Sequence, residues 1–479
     1  MLAAVTFTLI TLLFLDLTGS LHAWLGWLAK IQFWPAVLAL NVAVVAGLLI
    51  LTLIFGRIYC SVICPLGIMQ DLISALHGRR KRNRFSFSPE KRWLRYGVLV
   101  VFLASCVAGI NVIVSLLAPY SSYGRMVNSI LRPVWTAGNN VLASLAERMD
   151  SYAFYSVDVW MRSLPTLIIA AVTFVIIAVL AWRGGRTYCN TICPVGTILS
   201  FFARWFKVSI DGDKCVSCRL CEKNCKASAI DVKTGRIDYS RCVVCGNCIG
   251  KCNKDAIRYV HPAKAEARKA EAKHEEGNES GSVDSGRRSF LLGAAIATTA
   301  AALAQEKKKV DGGLAVIEDK VQPERATPIT PPGSMSARHM AQHCTACQLC
   351  VSACPNDVLR PSSDLSKLMQ PTMSYERGYC RPECTRCSDV CPTGAIKPIT
   401  REDKSATQIG HAVWIKKNCV SVTDGVACPP LPRGSHNDDT APPRHRLKAD
   451  HSCRERGEMH RLRSVRKPLS GTSVQRHLC

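Results

Sequence analysis

The chain has 479 residues, enough for two to four domains, and combines a formal net charge of +25 with 48% hydrophobic residues. No arginine-rich stripe interleaved with aromatic residues lies on a recognisable nucleic-acid-binding module, so we expect no nucleic-acid partner. The 25 cysteines exclude both a small secreted disulfide scaffold and a cytosolic enzyme with a few thiols. Apolar membrane spans flanked by basic anchors fit this composition better.

Apolar runs predict an integral membrane protein whose residues 1–205 form an α-helical four-span bundle. The runs are 2–17, 35–56, 96–118 and 165–182. A span needs about 20 residues to cross about 30 Å of hydrocarbon, and the first run is marginal by this measure. A cleaved signal peptide is the alternative for residues 1–17, although the positive n-region of such peptides is missing.

Lysine and arginine in the loops predict the orientation of the bundle. They are dense in 77–95 and again after the fourth run, whereas the longer segment 119–164 holds few of them. Cytoplasmic loops carry the excess of positive residues. We therefore expect the two basic regions in the cytoplasm and 119–164 on the outer side.

Two segments of this region are copies of each other. The sequence GRIYCSVICPLGIMQD follows the second apolar run, and GRTYCNTICPVGTILS follows the fourth. Each contains Cys-x3-Cys-Pro-x-Gly, which supplies Cys60 and Cys64 in one copy and Cys189 and Cys193 in the other. Together the four thiolates, expected at the cytoplasmic face of the membrane, would suit an iron–sulfur centre or another soft metal. Reduced structural cysteines beside a Pro-Gly turn are an equally good interpretation.

The region 208–260, here called the first ferredoxin domain, contains Cys-x2-Cys-x2-Cys-x3-Cys twice, the arrangement of two-cluster bacterial ferredoxins. Three closely spaced thiolates wrap three corners of a cubane, and the fourth cysteine crosses to the other cluster. The expected metal ligands are therefore Cys215, Cys218, Cys221 and Cys252 for one cluster, and Cys242, Cys245, Cys248 and Cys225 for the other. Zinc is the alternative for a four-cysteine site, and the doubled pattern disfavours it.

Residues 261–286 are charged and then rich in Gly and Ser, which predicts a linker. The segment GRRSFLLGAAIATTAAALAQ follows. Its paired arginines and small apolar residues are typical of a twin-arginine export signal, which we assign to 287–305. This segment is either a fifth crossing to the outer side or a cytoplasmic helix that leaves both cysteine-rich domains inside.

The region 335–428, here called the second ferredoxin domain, repeats the two-cluster motif with one extra residue after Cys380. The same crossing rule predicts two further ligand sets, which are Cys344, Cys347, Cys350 and Cys391, and Cys380, Cys384, Cys387 and Cys354. Both ferredoxin domains are expected to be small α+β folds. The chain is thus expected to carry at least four [4Fe–4S] clusters.

On these motifs, residues 1–260 resemble the NapH-type ferredoxin proteins, and residues 287–428 resemble the twin-arginine-exported NapG/MauM-type ferredoxins. Together those families form a quinol dehydrogenase that passes electrons outward. The resemblance implies a fusion, multi-pass in the bacterial inner membrane, with the first ferredoxin domain cytoplasmic and the second periplasmic. It also implies quinol from the quinone pool as electron donor and a periplasmic reductase or electron carrier as acceptor.

A quinol dehydrogenase needs a proton acceptor near the quinol head group. Asp16, at the outer end of the first run, is the candidate catalytic residue, because ionisable groups at such depth are expensive and often functional. His22 is a weaker candidate, and an interfacial aspartate that faces lipid head groups is the alternative. The other class of function is a redox-linked assembly or regulatory membrane polyferredoxin, although no sensor domain is recognisable.

The C-terminal segment 429–479 contains no aromatic residue and no isoleucine and is rich in arginine, proline and histidine. It begins just after Cys419 and Cys428, where the resembling family continues toward further cysteine ligands. A basic tail with its own role and a His/Cys metal tract are alternatives. We predict instead a shift of reading frame at or just after Cys428, so that the tail is disordered and binds no cluster.

Overall fold

The computed structural model describes residues 2–409 except 17, 79–84, 152–153, 158, 160–161, 204–206, 212–213, 261–327, 376–377 and 408. The predicted linker, export signal and C-terminal tail lie outside the described residues. The chain divides into two compact units, Met1–Ala265 together with Arg325–Cys479, and Glu266–Glu324. All described residues belong to the first unit.

Residues 2–202 form a helical bundle. Its helices are α1 (Leu2–Leu15), α2 (Ser20–Leu25), α3 (Trp27–Lys30), α4 (Phe33–Leu38), α5 (Val42–Phe55), α6 (Pro65–Gly78), α7 (Arg92–Val107), α8 (Asn111–Leu117), α9 (Pro119–Met126), α10 (Arg132–Glu147), α11 (Leu164–Gly184), α12 (Thr187–Thr191) and α13 (Pro194–Phe202). Two π-helical turns, Tyr59–Ile63 and Val127–Leu131, precede α6 and α10.

Helix α11 is, within the described ranges, the helix that is long and apolar enough to cross a membrane, with 21 residues and a mean hydropathy of 2.7. The shorter apolar helices are α1 and α5. The second and third apolar runs are each interrupted, and Leu40 and Gly109 take left-handed backbone conformations at the two breaks. The four-span bundle therefore stays a prediction.

The segment 119–164, expected on the outer side, is helical over much of its length, and its side of the membrane stays a prediction. Helix α9 is buried along its whole length, and the chain continues through the second π-helical turn into α10. Tyr123 lies 2.6 Å from the hydroxyl of Thr11 on α1, and the Arg125 guanidinium donates to the carbonyl of Ser115 at 2.8 Å. These polar side chains are buried because they form hydrogen bonds inside the bundle. A hydropathy pattern does not predict such hydrogen bonds.

The first ferredoxin domain consists of two antiparallel strand pairs with short helical connections. Strand β1 (Lys207–Ile210) pairs with β4 (Ile257–Val260), and β2 (Ile230–Asp231) pairs with β3 (Arg236–Ile237). Helix α14 (Leu220–Lys223) and the 3₁₀ turn Ile249–Lys251 each follow a cysteine loop. A small apolar core that includes Val208, Ile230 and Ile257 holds the strands together.

The second ferredoxin domain contains one strand pair in its described part, β5 (Leu359–Pro361) against β6 (Pro371–Met373). Its short helices are α15 (Ala337–His343), α16 (Leu349–Ala353), α17 (Arg386–Asp389) and α18 (Arg401–Ala406), with a 3₁₀ turn at Leu365–Lys367. Its buried apolar residues belong to the same core cluster as those of the helical bundle. The domain is therefore packed firmly on the bundle.

The two ferredoxin domains contact opposite ends of α11. At the C-terminal end, the backbone N–H of Arg186 donates to the carbonyl of Lys226 in the first domain at 2.8 Å. Before the N-terminal end, Arg162 forms a 2.5 Å ion pair with Asp357 of the second domain. A helix rises about 1.5 Å per residue, so about 30 Å of α11 lies between these contacts.

Candidate iron–sulfur sites

The structure brings the cysteines of the first ferredoxin domain together in the crossed arrangement. A cavity of about 200 Å³ is lined by Cys215, Cys218, Cys221 and Cys252. A second, smaller cavity is lined by Cys225, Cys242, Cys245 and Cys248. In each set three cysteines come from one motif and the fourth from the other, as the spacing predicts.

The second ferredoxin domain has the same arrangement. One cavity is lined by Cys354, Cys380, Cys384 and Cys387. The remaining cysteines of this domain are Cys344, Cys347, Cys350 and Cys391. They lie close enough together for their thiolate charges to interact. The structure therefore groups the cysteines into four sets of four.

The backbone of the cysteine loops suits an anionic cluster. Ser217, Val244, Ala346 and Gln348, each between two cysteines of a motif, have positive φ. Alternating right- and left-handed residues turn successive N–H groups toward one centre, a geometry that binds anions. The N–H of Ala346, for example, donates to the sulfur of Cys344 at 3.4 Å. The residues present therefore fit [4Fe–4S] clusters, whose potentials respond to hydrogen bonds on sulfur.

A buried lysine contacts one of these cysteine sets. The Lys404 ammonium is fully buried and donates to the sulfur of Cys380 at 3.1 Å. It also donates to the carbonyls of Arg381 and Cys384, at 2.9 and 3.3 Å. Burial raises the pKa of the Cys380 thiol, and the nearby positive charge of Lys404 opposes that rise. Lys404 lies 24 residues after Cys380, so the sequence pattern of the cysteines did not predict this contact.

The two Cys-x3-Cys-Pro copies meet in the centre of the bundle. Cys60, Cys64, Cys189 and Cys193 are buried and lie within electrostatic range of one another, and we call this group the four-thiol site. A Cβ atom at Gly67 would collide with the carbonyl oxygen of Cys60, and one at Gly196 with that of Cys189. The glycine of each motif is thus required for the turn that places the sulfurs.

Hydrogen-bond donors surround the four-thiol site. Gln70 donates to the sulfur of Cys189 at 3.1 Å, and the N–H of Gly196 donates to the sulfur of Cys193 at 3.4 Å. Burial, and then the neighbouring thiolates, raise the pKa of Cys193 and of Cys64, and the pKa of Cys189 rises to about 11. Thiolates here need a nearby cation, and a metal centre supplies one. The described ranges contain no group of three or more His, Cys, Asp or Glu spaced for a single metal ion.

Buried arginines join the four-thiol site to the first ferredoxin domain. Arg57 donates to the carbonyl of Ser240 at 2.8 Å and to that of Cys189 at 3.2 Å. Arg186 donates to both carboxylate oxygens of Asp71, which also forms a 3.2 Å ion pair with Lys226. The repeated Gly-Arg before each motif was the sequence signal for these two arginines.

Another buried arginine lies between the four-thiol site and the second ferredoxin domain. Arg125 lies within electrostatic range of Cys347 and of Tyr188, which adjoins Cys189. The backbone of Gly124 packs directly against the carbonyl of Cys347. Arg125 and Gly124 on α9 thus connect the neighbourhood of the four-thiol site to the Cys347 loop of the second ferredoxin domain.

Asp16 lies just after α1, beside the second ferredoxin domain. One carboxylate oxygen accepts from the backbone N–H of Gly19 at 2.8 Å, and the other accepts from that of Leu21 at 2.9 Å and faces His22 Nδ1 at 3.0 Å. Burial lowers the pKa of His22, and Asp16 opposes that effect. These contacts stabilise the turn into α2, and a role for Asp16 in accepting a proton stays a prediction.

Comparison with known families identifies iron–sulfur domains in the helical bundle and in the second ferredoxin domain. A family described as a 4Fe-4S binding domain matches residues 37–84 and 164–211, and one described as a 4Fe-4S dicluster domain matches 343–395. Two kinds of 4Fe–4S domain are present. The first kind coincides with the two Cys-x3-Cys-Pro copies.

Several known proteins are similar to parts of this chain. An uncharacterized protein of Methanocaldococcus jannaschii is 24% identical over 254 residues, which cover 51% of this chain and 80% of that protein. The ferredoxin-type protein NapH of Escherichia coli is 27% identical, over 47% of this chain and 68% of NapH. The methylamine utilization ferredoxin-type protein MauM of Methylophilus methylotrophus is 33% identical, over 24% of this chain and 52% of MauM. No solved structure matches. These similarities support an iron–sulfur electron-transfer protein.

Proposed function

We propose that this protein carries electrons across a bacterial cytoplasmic membrane, from quinol to a periplasmic reductase or electron carrier. The observation that carries the proposal is the location of the four-thiol site between two ferredoxin domains at opposite ends of α11. A relay across a membrane needs centres at both faces and one between them. The similarity to NapH and MauM, both named ferredoxin-type proteins, supports the same function.

The surface of the bundle supports a membrane location. Along α11 the large apolar residues Ile168, Val172, Val175 and Val179 are exposed, as lipid-facing residues would be. Exposed tryptophans lie toward both ends of the bundle, with Trp24 and Trp27 on the side of the second ferredoxin domain and Trp93 on the side of the first. Tryptophan favours the two membrane interfaces. We propose that the basic side, with the first ferredoxin domain, is cytoplasmic.

The proposed ligands are the four crossed cysteine sets of the ferredoxin domains, with a further iron–sulfur centre on the four-thiol site. A bound [4Fe–4S] cluster would accept and donate one electron at a time. The protein residues hold the thiolates, donate hydrogen bonds to sulfur and exclude water. Arg57 and Arg186 position the first ferredoxin domain beside the four-thiol site, and Arg125 lies between that site and Cys347.

Quinol oxidation is tested with the full chain in membrane vesicles. A menaquinol analogue should bleach the visible absorbance of the clusters, and a chemical reductant should then bleach the remainder. If the quinol never reduces clusters that the chemical reductant does reduce, the dehydrogenase proposal fails. The assembly or regulatory polyferredoxin would then be the better explanation.

The sidedness is tested by labelling with a membrane-impermeant thiol reagent. Ser336, in the second ferredoxin domain, and Lys233, in the first, are both exposed. In intact spheroplasts Ser336→Cys should be labelled and Lys233→Cys should be protected until lysis. Protection of Ser336→Cys in intact spheroplasts would overturn the assignment of the second domain to the periplasm.

A further inference from the structure

The two cysteine sets of the first ferredoxin domain differ in what they pack against. Cys245, in one set, packs against the core of the helical bundle and lies within electrostatic range of Arg186. Cys221 and Cys252, in the other set, pack against the small core of the ferredoxin domain itself. This other set is called the exposed set here and consists of Cys215, Cys218, Cys221 and Cys252. The bundle is therefore met by the Cys245 set, and the exposed set belongs to the domain's own surface.

The exposed set is open to solvent. Within the described ranges, Cys218 is the cysteine that is exposed. The described residues that wall the cavity of the exposed set all belong to the first ferredoxin domain. The rate of electron transfer falls steeply with distance, so an external carrier can use a cluster whose ligand lies at the surface. The exposed set is therefore the part of this domain that such a carrier can approach.

Positive side chains surround the exposed set. Lys214, Arg219 and Lys254 line its cavity and are exposed, and no acidic residue is among the described residues of that wall. Glu222 adjoins the wall, but its carboxylate faces Arg219 at 3.9 Å, and Asp255 is exposed beside Lys254. The segments that carry the exposed set, 214–223 and 251–255, hold five Lys or Arg and two Asp or Glu in total. This surface is therefore positively charged.

Apolar side chains lie among these cations. Val216 is 63% exposed and Leu220 is 40% exposed, and both belong to the wall of the same cavity. Ile249, in the turn before Cys252, is also exposed. Protein interfaces combine a central patch depleted of charge with a polar rim. An exposed cluster ligand with apolar neighbours and surrounding cations therefore suits a protein partner with an acidic surface.

We propose that the exposed set is a second electron entrance, where an acidic soluble carrier protein with a low-potential one-electron centre docks. The inference goes beyond the proposed function, in which quinol supplies the electrons, and it uses the same relay. The reduced carrier loses one electron and a [4Fe–4S] cluster on the exposed set gains it, so no bond forms and no proton moves. The electron then passes to the Cys245 set and to the four-thiol site, since Arg186 lies within electrostatic range of both Cys245 and Cys189.

The test mixes the full chain, loaded with clusters and in detergent, with an acidic flavodoxin in its hydroquinone state in an anaerobic stopped-flow instrument. The flavodoxin semiquinone absorbs at longer wavelengths than iron–sulfur clusters, so its formation reports each one-electron transfer. Arg219→Glu and Lys254→Glu should each lower the second-order rate constant at least about threefold at low ionic strength, and the combined variant at least about tenfold, because electrostatic attraction is lost. These differences should shrink as salt is added.

The controls make the same change of net charge elsewhere. Lys233→Glu is exposed in the turn between β2 and β3, and Lys397→Glu is exposed in the second ferredoxin domain. Both should react with flavodoxin at the rate of the wild type. The dithionite-reducible absorbance of every variant reports whether the protein is folded and loaded with clusters.

Slower reduction of Arg219→Glu and Lys254→Glu, with unchanged controls, supports the second entrance whether or not quinol reduces the clusters. If flavodoxin never reduces clusters that dithionite reduces, the second entrance is wrong, and reduction by quinol still tests the proposed function separately. Unchanged rates in Arg219→Glu and Lys254→Glu would also overturn it and would leave these cations to an anionic lipid surface. Equal slowing in the controls would overturn it in favour of a general charge effect.

Discussion

Arg57 and Arg186 occupy equivalent positions in the two copies of the repeat, and each donates to a carbonyl in the other copy. Arg57 reaches the carbonyl of Cys189 at 3.2 Å, and Arg186 reaches that of Cys60 at 2.8 Å. Both guanidinium groups are fully buried. This exchange of hydrogen bonds joins the two halves of the bundle around the four-thiol site.

Loss of one of these arginines should destabilise the bundle. Arg186→Met removes the donor to Cys60 and leaves the Asp71 carboxylate with Lys226 as its remaining cation. We expect the free energy of unfolding to fall by about 3 kcal/mol, the lower end of the cost of breaking a buried ion pair. Denaturant unfolding followed by cluster absorbance measures this. Arg183→Met removes an exposed arginine nearby and should change little; equal stability of the two variants would contradict the structural role of Arg186.

Removal of one thiol from the four-thiol site should remove one iron–sulfur centre and leave the others. Cys193→Ser and Cys64→Ser should each lower the iron content per chain and abolish one signal in the electron paramagnetic resonance spectrum of the reduced protein. Cys106→Ser is the matched control, since Cys106 lies on α7 and is half-buried outside every cysteine set. Unchanged iron content in Cys193→Ser would favour structural cysteines.

Lys404 should raise the potential of the cluster proposed on the Cys380 set. Its ammonium contacts the sulfur of Cys380, and a cation favours the reduced, more negative cluster. Lys404→Met should lower that midpoint potential by about 60 mV, which equals about 1.4 kcal/mol for one electron. A potentiometric titration measures the change, and Lys397→Met, an exposed lysine of the same domain, is the control. A shift of equal size in both variants would show a general charge effect instead.

Acid should weaken the fold partly through Asp71. Burial acts to raise the pKa of this carboxyl, but the hydrogen bond and charge of Arg186 and the charge of Lys226 outweigh it and hold the pKa below 3.8. A carboxyl with a lower pKa in the folded state stabilises the fold above its unfolded pKa, and this stabilisation is lost as the pH falls through the folded value.

Denaturant midpoints measured from about pH 6 down to about pH 3 should therefore fall less steeply for Asp71→Asn than for the wild type. Asp71→Asn should also be less stable near neutral pH, where the wild-type carboxylate is charged. The control is Asp255→Asn, at an exposed aspartate of the first ferredoxin domain. Identical acid slopes for Asp71→Asn and the wild type would contradict the assignment.

Cysteine spacing alone predicted the four crossed cysteine sets, and the same cysteines line shared cavities or lie within electrostatic range of one another in the fold. The reason is that the cysteines of each motif are close together in the sequence. Three cysteines in Cys-x2-Cys-x2-Cys lie on one tight loop, so their proximity needs no knowledge of the rest of the chain. The duplicated Cys-x3-Cys-Pro motif was equally visible, as was the Gly-Arg before each copy.

Only the tertiary structure decided that Cys60 and Cys64 meet Cys189 and Cys193, because a sequence pattern does not say which distant segments pack together. The same is true of the broken second and third apolar runs, where Leu40 and Gly109 change the backbone direction. The burial of α9 depended on polar partners such as Thr11, which lie far away in the chain. The cavity lined by Arg132 and Gln348 likewise forms only where the bundle and the second ferredoxin domain are in contact.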